Sequence, residues 1–274
     1  MASSSQPGPL KRGDYSPSKS SDLRSPCPLV NSLANHGYIP RDGRNVLAAE
    51  LSGAVNEVGI SKALGAALSR PIFLEYVERA SIAKEDANGK KGSFLAHLWT
   101  FLRNPRAALA KAFGMRKPGQ FDSTGKPCLN LDQLAAHGVV EHDVSFSRRD
   151  IGQGDNLSKQ ADLVQQIIAA SSDGKTITAE DFAGLRRRRI EEQKKANPSL
   201  TYGASQHQLA CGEIALILKV FGDGKKVPCD YMKAFFEEER LPREEGWTKR
   251  WWSVGFFDLI PLAAKVKKII VGHF

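Results

Sequence analysis

Three short stretches of this chain carry side chains whose types and spacing could do chemistry. The first, "RSPCPLVNSLANHGYIPRDGR" (24–44), sets Cys27 between Pro26 and Pro28. Proline is favoured at the first position of a helix, which places Cys27 beside a helix N-terminus. Free N–H groups and the positive end of the helix dipole favour an anion there. The sequence therefore predicts a rigidly held thiol with a lowered pKa. A fixed thiolate serves as a nucleophile or as a soft metal ligand, and an inert cysteine buried at a turn is the third reading.

The second stretch, "VVEHDVSFSRRDIGQGDN" (139–156), compresses Glu141, His142, Asp143 and Ser145 into five residues. Adjacent side chains diverge, so a Ser–His–Asp relay is excluded. A hard-cation site fits better: the Glu141 carboxylate, a backbone carbonyl and the Ser145 hydroxyl can face one point, as Mg2+ requires of oxygen ligands. A solvated charged turn is the plainer alternative. The third stretch, "ACGEIALILKVFG", holds Glu213 as a lone carboxylate in an apolar helix, with Leu209, Leu216 and Ile217 on roughly its own face. Burial of such a group is costly unless it is paired or protonated. Either Glu213 escapes to the surface or pairs with a core arginine, or it is a general acid–base with a raised pKa, oriented by a partner such as His142.

The elements that must position these residues are overwhelmingly helical. Apolar residues recur at three- and four-residue spacing over 46–70, 71–80 and 92–114. Ser158 is expected to cap a helix over "SKQADLVQQIIAAS", and Thr178 with Asp181 forms a capping box for the next helix. Residues 205–222 make the most apolar and so the central helix, and Pro242 is expected to end the one that follows. Strand signals are few and short. The fold class expected is all-α: a single helical domain over 23–274 behind a flexible Ser/Pro/Lys-rich arm at 1–22.

A chain of 274 residues with 41% hydrophobic and 25% charged residues is ordinary for a globular protein. The arm lacks an apolar signal core, so an intracellular location is expected unless a leader has been removed. The balance of 39 Lys+Arg against 30 Asp+Glu gives a net charge of +9. That balance permits attraction to nucleic acid or to an anionic membrane without demanding either. The basic run "LRRRRIEEQKK" (185–195) reads as charge spread around a solvated helix face. A non-catalytic nucleic-acid-binding protein is the remote alternative, for which no binding motif is found. Cys27, Cys128, Cys211 and Cys229 show neither zinc spacing nor a disulfide framework.

The three stretches together resemble the fungal haem-thiolate peroxidases, the family of chloroperoxidase and the short-type unspecific peroxygenases. "PCPLVNSLANHGYIPRDGR" is similar to their proximal motif, "EHDVSFSRRD" to their second motif, and "GEIALIL" to the helix bearing their acid–base glutamate. "FFEEERLPREEGW" is similar to their C-terminal region. The resemblance implies haem b held through Cys27, and Mg2+ held by Glu141, Ser145, the His142 backbone and a haem propionate. It implies that Glu213, oriented by His142, moves a proton on bound H2O2. The product would be an oxyferryl intermediate that oxygenates an apolar or aromatic molecule. A haloperoxidase, or a dedicated peroxidase of secondary metabolism, is the alternative within the class. Asp143 is a supporting candidate that would fix the His142 ring, and Arg148 and Arg149 would pair with a propionate, with Asp143 or on the surface. A basic amphipathic insertion over 84–127, carrying Trp99, Phe101 and Leu102, and the C-terminal helix are expected either to cover the pocket or to lie on a lipid surface.

Overall fold

The computed structural model describes residues 9–76 and 104–270. Helices dominate, with short extended pieces between them. They are α1 (Pro28–Asn35), α2 (Ala48–Glu57), α3 (Lys62–Ser69), α4 (Pro105–Phe113), α5 (Ala161–Ala169), α6 (Ala179–Ala196), α7 (Ala204–Val220), α8 (Cys229–Phe236) and α9 (Phe256–Ile270). Two antiparallel two-stranded ribbons complete the frame, β1 (Val46–Leu47) with β2 (Cys128–Leu129) and β3 (Thr176–Thr178) with β4 (Lys226–Pro228). Their registers are Val46 opposite Leu129 and Ile177 opposite Val227. The mainly helical single domain expected from periodicity is what the chain forms.

The apolar core runs through the centre of this frame. Leu33, Val46, Leu129, Ile167, Phe182, Ile214, Leu218, Val227 and Val266 are all inaccessible or nearly so, and they belong to one contiguous cluster. Helix α7 lies in it, packed most extensively against α9. Fully burying one such side chain contributes about 1.5–3 kcal/mol, so the helix carrying Glu213 is held firmly by its apolar residues.

Local chemistry sets where the helices begin. Thr178 caps α6 as expected: its hydroxyl accepts from the Asp181 amide while the Asp181 carboxylate accepts from the Thr178 amide. The helix expected behind Ser158 starts later, at Ala161, because Asp155 takes the Leu157 and Ser158 amides into a turn of its own. The stretch 46–70 divides into two helices at Gly59, whose φ is +86°, and α3 restarts behind a Ser61 cap. Helix α8 ends at Phe236, earlier than Pro242 would require.

Of the expected 84–127 insertion, residues 84–103, with Trp99, Phe101 and Leu102, lie outside the described residues. Of the remainder, Pro105–Phe113 form α4, capped by Asn104 with Pro105 at its first position and with no buried side chain, while Met115 and Arg116 beyond it are buried. Within the stretch expected as a flexible arm, residues 11–16 are tied to the end of α1. Gly13 N–H donates to the His36 carbonyl and Ser16 N–H to the Asn35 carbonyl. Arg41 donates to the carbonyls of Asn35, Lys11 and Asp14, so one guanidinium joins helix end and arm.

Candidate active site

Cys27 is the N-cap residue of α1, with Pro28 at the first helical position. The loop that presents it is built by the polar residues of its own motif. Asn31 reaches back so that its side-chain carbonyl accepts from the Ser25 amide at 2.8 Å, while its Nδ2 donates to the Ser25 carbonyl at 2.8 Å. Nδ2 donates as well to Glu239 Oε1 at 2.9 Å, and that carboxylate also accepts from Arg148 at 2.5 Å. Gly43, with φ at +71°, lies where a Cβ would sit 2.1 Å from the Leu23 carbonyl, so only glycine lets the returning chain pass the segment that leads to Cys27. The rigidity read from two prolines is a buried polar network with prolines at its edge.

This network corrects one expectation. Arg148 pairs neither with Asp143 nor with solvent: its side chain is 2% exposed and its partners are Glu239, Ser147 and the Leu157 and Ser25 carbonyls. Arg149 makes the surface pair, with Asp162.

The loop over 141–150 reaches the segment before Cys27 through Arg148, which donates to the Ser25 carbonyl. His142 is buried, and its Nδ1 donates to the backbone carbonyl of Asp143 at 2.7 Å. That bond fixes the ring and turns Nε2 toward Glu213 Oε1, 3.6 Å away. The Asp143 side chain, expected to hold the imidazole, does something else. It accepts from Ile151 N–H and from the Thr201 amide and hydroxyl, tying the loop to the segment before α7. Val144 sits at φ +63°, a strained conformation for a β-branched residue. Its amide donates to Asp150 Oδ1 and its carbonyl accepts from Arg186, so both its polar groups are held.

Arg186 is the residue that sequence reasoning missed. Together with Arg189, it overturns the reading of 185–195 as a solvated face, since the two are 0% and 2% exposed. Phasing α6 from Phe182, Leu185 and Ile190 would have revealed both, because positions 186, 189 and 193 share that buried stripe. The Arg186 guanidinium lies over the Phe146 ring at 4.0 Å, with NH2 3.9 Å from Glu213 Oε2. Its Nε and NH2 and the Nε2 of His142 are buried without a hydrogen bond of their own. The two carboxylate oxygens of Glu213 thus face two different nitrogen bases. Arg189 donates to the Ser145 carbonyl and so holds the next residue of the loop.

Cys27 and Glu213 share an unusual combination. Each side chain is accessible, Glu213 by 53%, yet each is enclosed closely enough for desolvation to be the largest influence on its ionisation. The two are also within range of one another, since the charge of Glu213 raises the Cys27 thiol.

Two expected ionisation shifts are reversed. Burial pushes the Cys27 thiol up, with Glu213 adding to it, although the Val30 and Leu29 amides and Arg148 favour the thiolate. Those amides approach the sulfur without forming a helix-cap hydrogen bond of normal geometry, so the helix terminus does not win on its own. Burial would raise the Glu213 carboxyl, but the His142 and Arg186 cations overcome it and hold the group below the usual carboxylate range. In return, Glu213 raises His142 against the opposing effect of burial and of Arg186.

The three oxygen donors expected for Mg2+ all lie on this loop. Glu141 is buried and accepts from His137 Nδ1 at 2.8 Å; burial raises its carboxyl despite that partner. The Ser145 hydroxyl accepts from the Ser147 amide at 3.3 Å. No cluster of three or more His, Cys, Asp or Glu able to hold a metal occurs among the described residues. A single protein carboxylate is a weak Mg2+ site, so a cation here would need further anionic oxygen from the cofactor.

The residues present fit a haem. Cys27 offers an accessible soft donor, and in electrostatic range of it stands a carboxylate beside an imidazole nitrogen that makes no hydrogen bond of its own. Comparison with known proteins agrees with that fit. Residues 13–251 match the model of "Peroxidase, family 2". The chain is 26% identical over 236 residues to an aromatic peroxygenase of Coprinellus radians, covering 83% of this chain and 80% of that protein. It is 27% identical over 256 residues to the aromatic peroxygenase of Cyclocybe aegerita, covering 86% and 60% of the two. It is 26% identical over 245 residues to a chloroperoxidase of Leptoxyphium fumago, covering 82% and 54%. The chain therefore spans most of the first relative and little more than half of the other two.

Proposed function

The chain belongs to the family-2 peroxidases, and from that membership we propose a haem-thiolate enzyme that uses H2O2 to oxygenate apolar or aromatic organic molecules. The observation that carries this reading is the placement of Glu213 between His142 and Arg186, in electrostatic range of an accessible Cys27.

In this reading Cys27 would hold the haem iron through its thiolate. Binding to iron would remove the proton that burial alone would keep on the sulfur. The haem supplies the two-electron redox chemistry that splits the peroxide O–O bond, and electron donation from a thiolate favours that cleavage. The protein's own residues handle the proton. Glu213, held as a carboxylate by its two cationic neighbours, accepts a proton from the peroxide and gives it to the oxygen that departs as water. The same neighbours make protonated Glu213 a strong acid, which favours the second transfer at the expense of its basicity in the first. His142 directs the carboxylate through its Nε2–H, with the ring orientation set by the Nδ1 bond to the Asp143 carbonyl. Arg186 holds the other oxygen and offsets negative charge in a desolvated space.

Mg2+ is proposed at the Glu141 carboxylate, the Ser145 hydroxyl and the His142 carbonyl, where the oxygen-only donor set suits a hard cation. A haloperoxidase is the second reading, favoured by the similarity to a chloroperoxidase.

Two measurements test the proposal on the purified, haem-loaded chain. Reduction under carbon monoxide should give the red-shifted absorption of thiolate-bound iron, and Cys27→Ala should abolish it. H2O2 should then drive oxygenation of an uncharged aromatic such as naphthalene faster than halogenation of a β-diketone. A normal, unshifted carbonyl spectrum would refute the thiolate assignment, and a reversed activity ratio would select the haloperoxidase.

A further inference from the structure

The first half of α9 and the residues before it form a surface that the catalytic reading does not use. Trp251 is 91% exposed, Phe257 97% and Ile260 62%, with Trp252 and Phe256 beside them. The two indoles meet edge to face with ring centroids 5.0 Å apart, and Arg250 lies over the Trp252 ring at 5.1 Å. These aromatics form a preformed knob. The helix cannot roll to hide it, because Ala263, Val266 and Ile270 on its other face are buried and α9 is packed along α7.

The knob is set among cations. Between residues 249 and 268 stand Lys249, Arg250, Lys265, Lys267 and Lys268 against a single acid, Asp258. Asp258 is occupied, near Lys219 at 3.9 Å and accepting from the Gly255 amide. Lys249, Lys265 and Lys268 are exposed. Exposed Trp and Phe flanked by lysine suit one environment above others: the boundary between acyl chains and anionic headgroups, where rings leave water and ammonium groups meet phosphate. A second copy of this chain is a poor occupant, since a symmetric contact would bring the same cations face to face.

We propose that this surface docks the protein on an anionic lipid bilayer, with Trp251, Phe257 and Ile260 entering the interface and Lys249, Lys265 and Lys268 at the phosphates. The docking is peripheral, because no helix among the described residues is long and apolar enough to cross a membrane.

The test uses the full, haem-loaded chain and sedimented vesicles of phosphatidylcholine alone or mixed with phosphatidylserine. Wild-type protein should bind the mixed vesicles, with a blue shift in tryptophan emission and release at high salt. The double variants Trp251→Ser/Phe257→Ser and Lys265→Glu/Lys268→Glu should each weaken binding by about tenfold or more, since affinity scales with buried apolar area and with charge attraction. Their Soret bands and turnover of a water-soluble aromatic should match wild type, which shows that the fold is intact. Three results would overturn the proposal: no vesicle binding by wild type, equal binding by the variants, or self-association of wild type that Trp251→Ser/Phe257→Ser abolishes.

Discussion

His142 Nε2 lies 3.6 Å from Glu213 Oε1, and the imidazole is turned to that oxygen by the 2.7 Å bond from its Nδ1 to the Asp143 carbonyl. A carboxylate–imidazole pair is therefore assembled from a loop and a helix that are 71 positions apart in sequence (213 − 142). Glu213→Gln keeps the volume of the side chain and removes its basicity. Peroxide-driven turnover should fall by about 10²–10⁴-fold, the usual contribution of a positioned acid–base, with haem content and the carbonyl spectrum retained. Steady-state assays at matched haem concentration check this, and full activity in the glutamine variant would remove Glu213 from the mechanism.

Arg186 supports the other oxygen of the same carboxylate from 3.9 Å and also donates to the Val144 carbonyl. Arg186→Met removes both interactions. Loss of the Val144 contact leaves a buried carbonyl unpaired, at about 1–3 kcal/mol. A purely structural role predicts lower stability with normal turnover of the protein that remains folded. A positioning role predicts a fall in kcat of at least about tenfold, partly restored by Arg186→Lys. Comparing kcat per haem across the three proteins separates these roles.

How much of this could be read from the sequence depended on what each residue type reports. Cys27, His142 and Glu213 stand out because a thiol between prolines, a histidine between two acids and a carboxylate in an apolar helix each break a local rule. Their ionisation could not be read, since it is set by partners brought from elsewhere in the chain: Arg186 from α6 reaches Glu213, and Arg148 and Glu239 meet behind the Cys27 loop. Arginine at a buried position looks like arginine at an exposed one until the helix is phased by its apolar neighbours. Helix existence followed from periodicity, whereas the starts of α5 and the end of α8 were shifted by side chains and turns that no periodicity encodes.

The Arg148–Glu239 pair joins the 141–150 loop to the Cys27 loop, with side-chain exposures of 2% and 8%. Removing one member leaves the other charge buried without its partner, a change that typically destabilises by about 3–5 kcal/mol. Arg148→Met should lower the urea midpoint accordingly and weaken haem retention, because the Cys27 and 141–150 loops lose their common anchor. The double variant Arg148→Met/Glu239→Leu should recover part of that stability, as removal of both charges leaves neither stranded. Equal losses in the single and double variants would show that the pair does not act as a unit.

His36 gives the molecule a pH dependence whose sign is fixed by its hydrogen bonds. Its Nδ1 donates to the Gly13 carbonyl at 2.8 Å, and its Nε2 accepts from the Leu241 amide at 3.1 Å. Only the neutral ring satisfies both, because a proton on Nε2 would meet the Leu241 N–H. Burial lowers its pKa from the ordinary 6.5, and Arg243, Arg41 and Arg240 act the same way against the Gly13 bond. Below pH 6.5 the unfolded chain takes up a proton that the folded one resists, so the unfolded state binds more protons there. The contribution of His36 is thus fully present above pH 6.5 and declines as pH falls toward the folded value. His36→Gln cannot titrate and loses part of the bridge from the end of α1 to residues 13 and 241, which should cost about 1–3 kcal/mol at neutral pH. Urea unfolding of both proteins between pH 7.5 and 5 should show the wild-type advantage shrinking with acidity. Parallel stability curves would mean that folding leaves the pKa of His36 unchanged, and a wild-type advantage that grows with acidity would mean that the ring is charged in the fold.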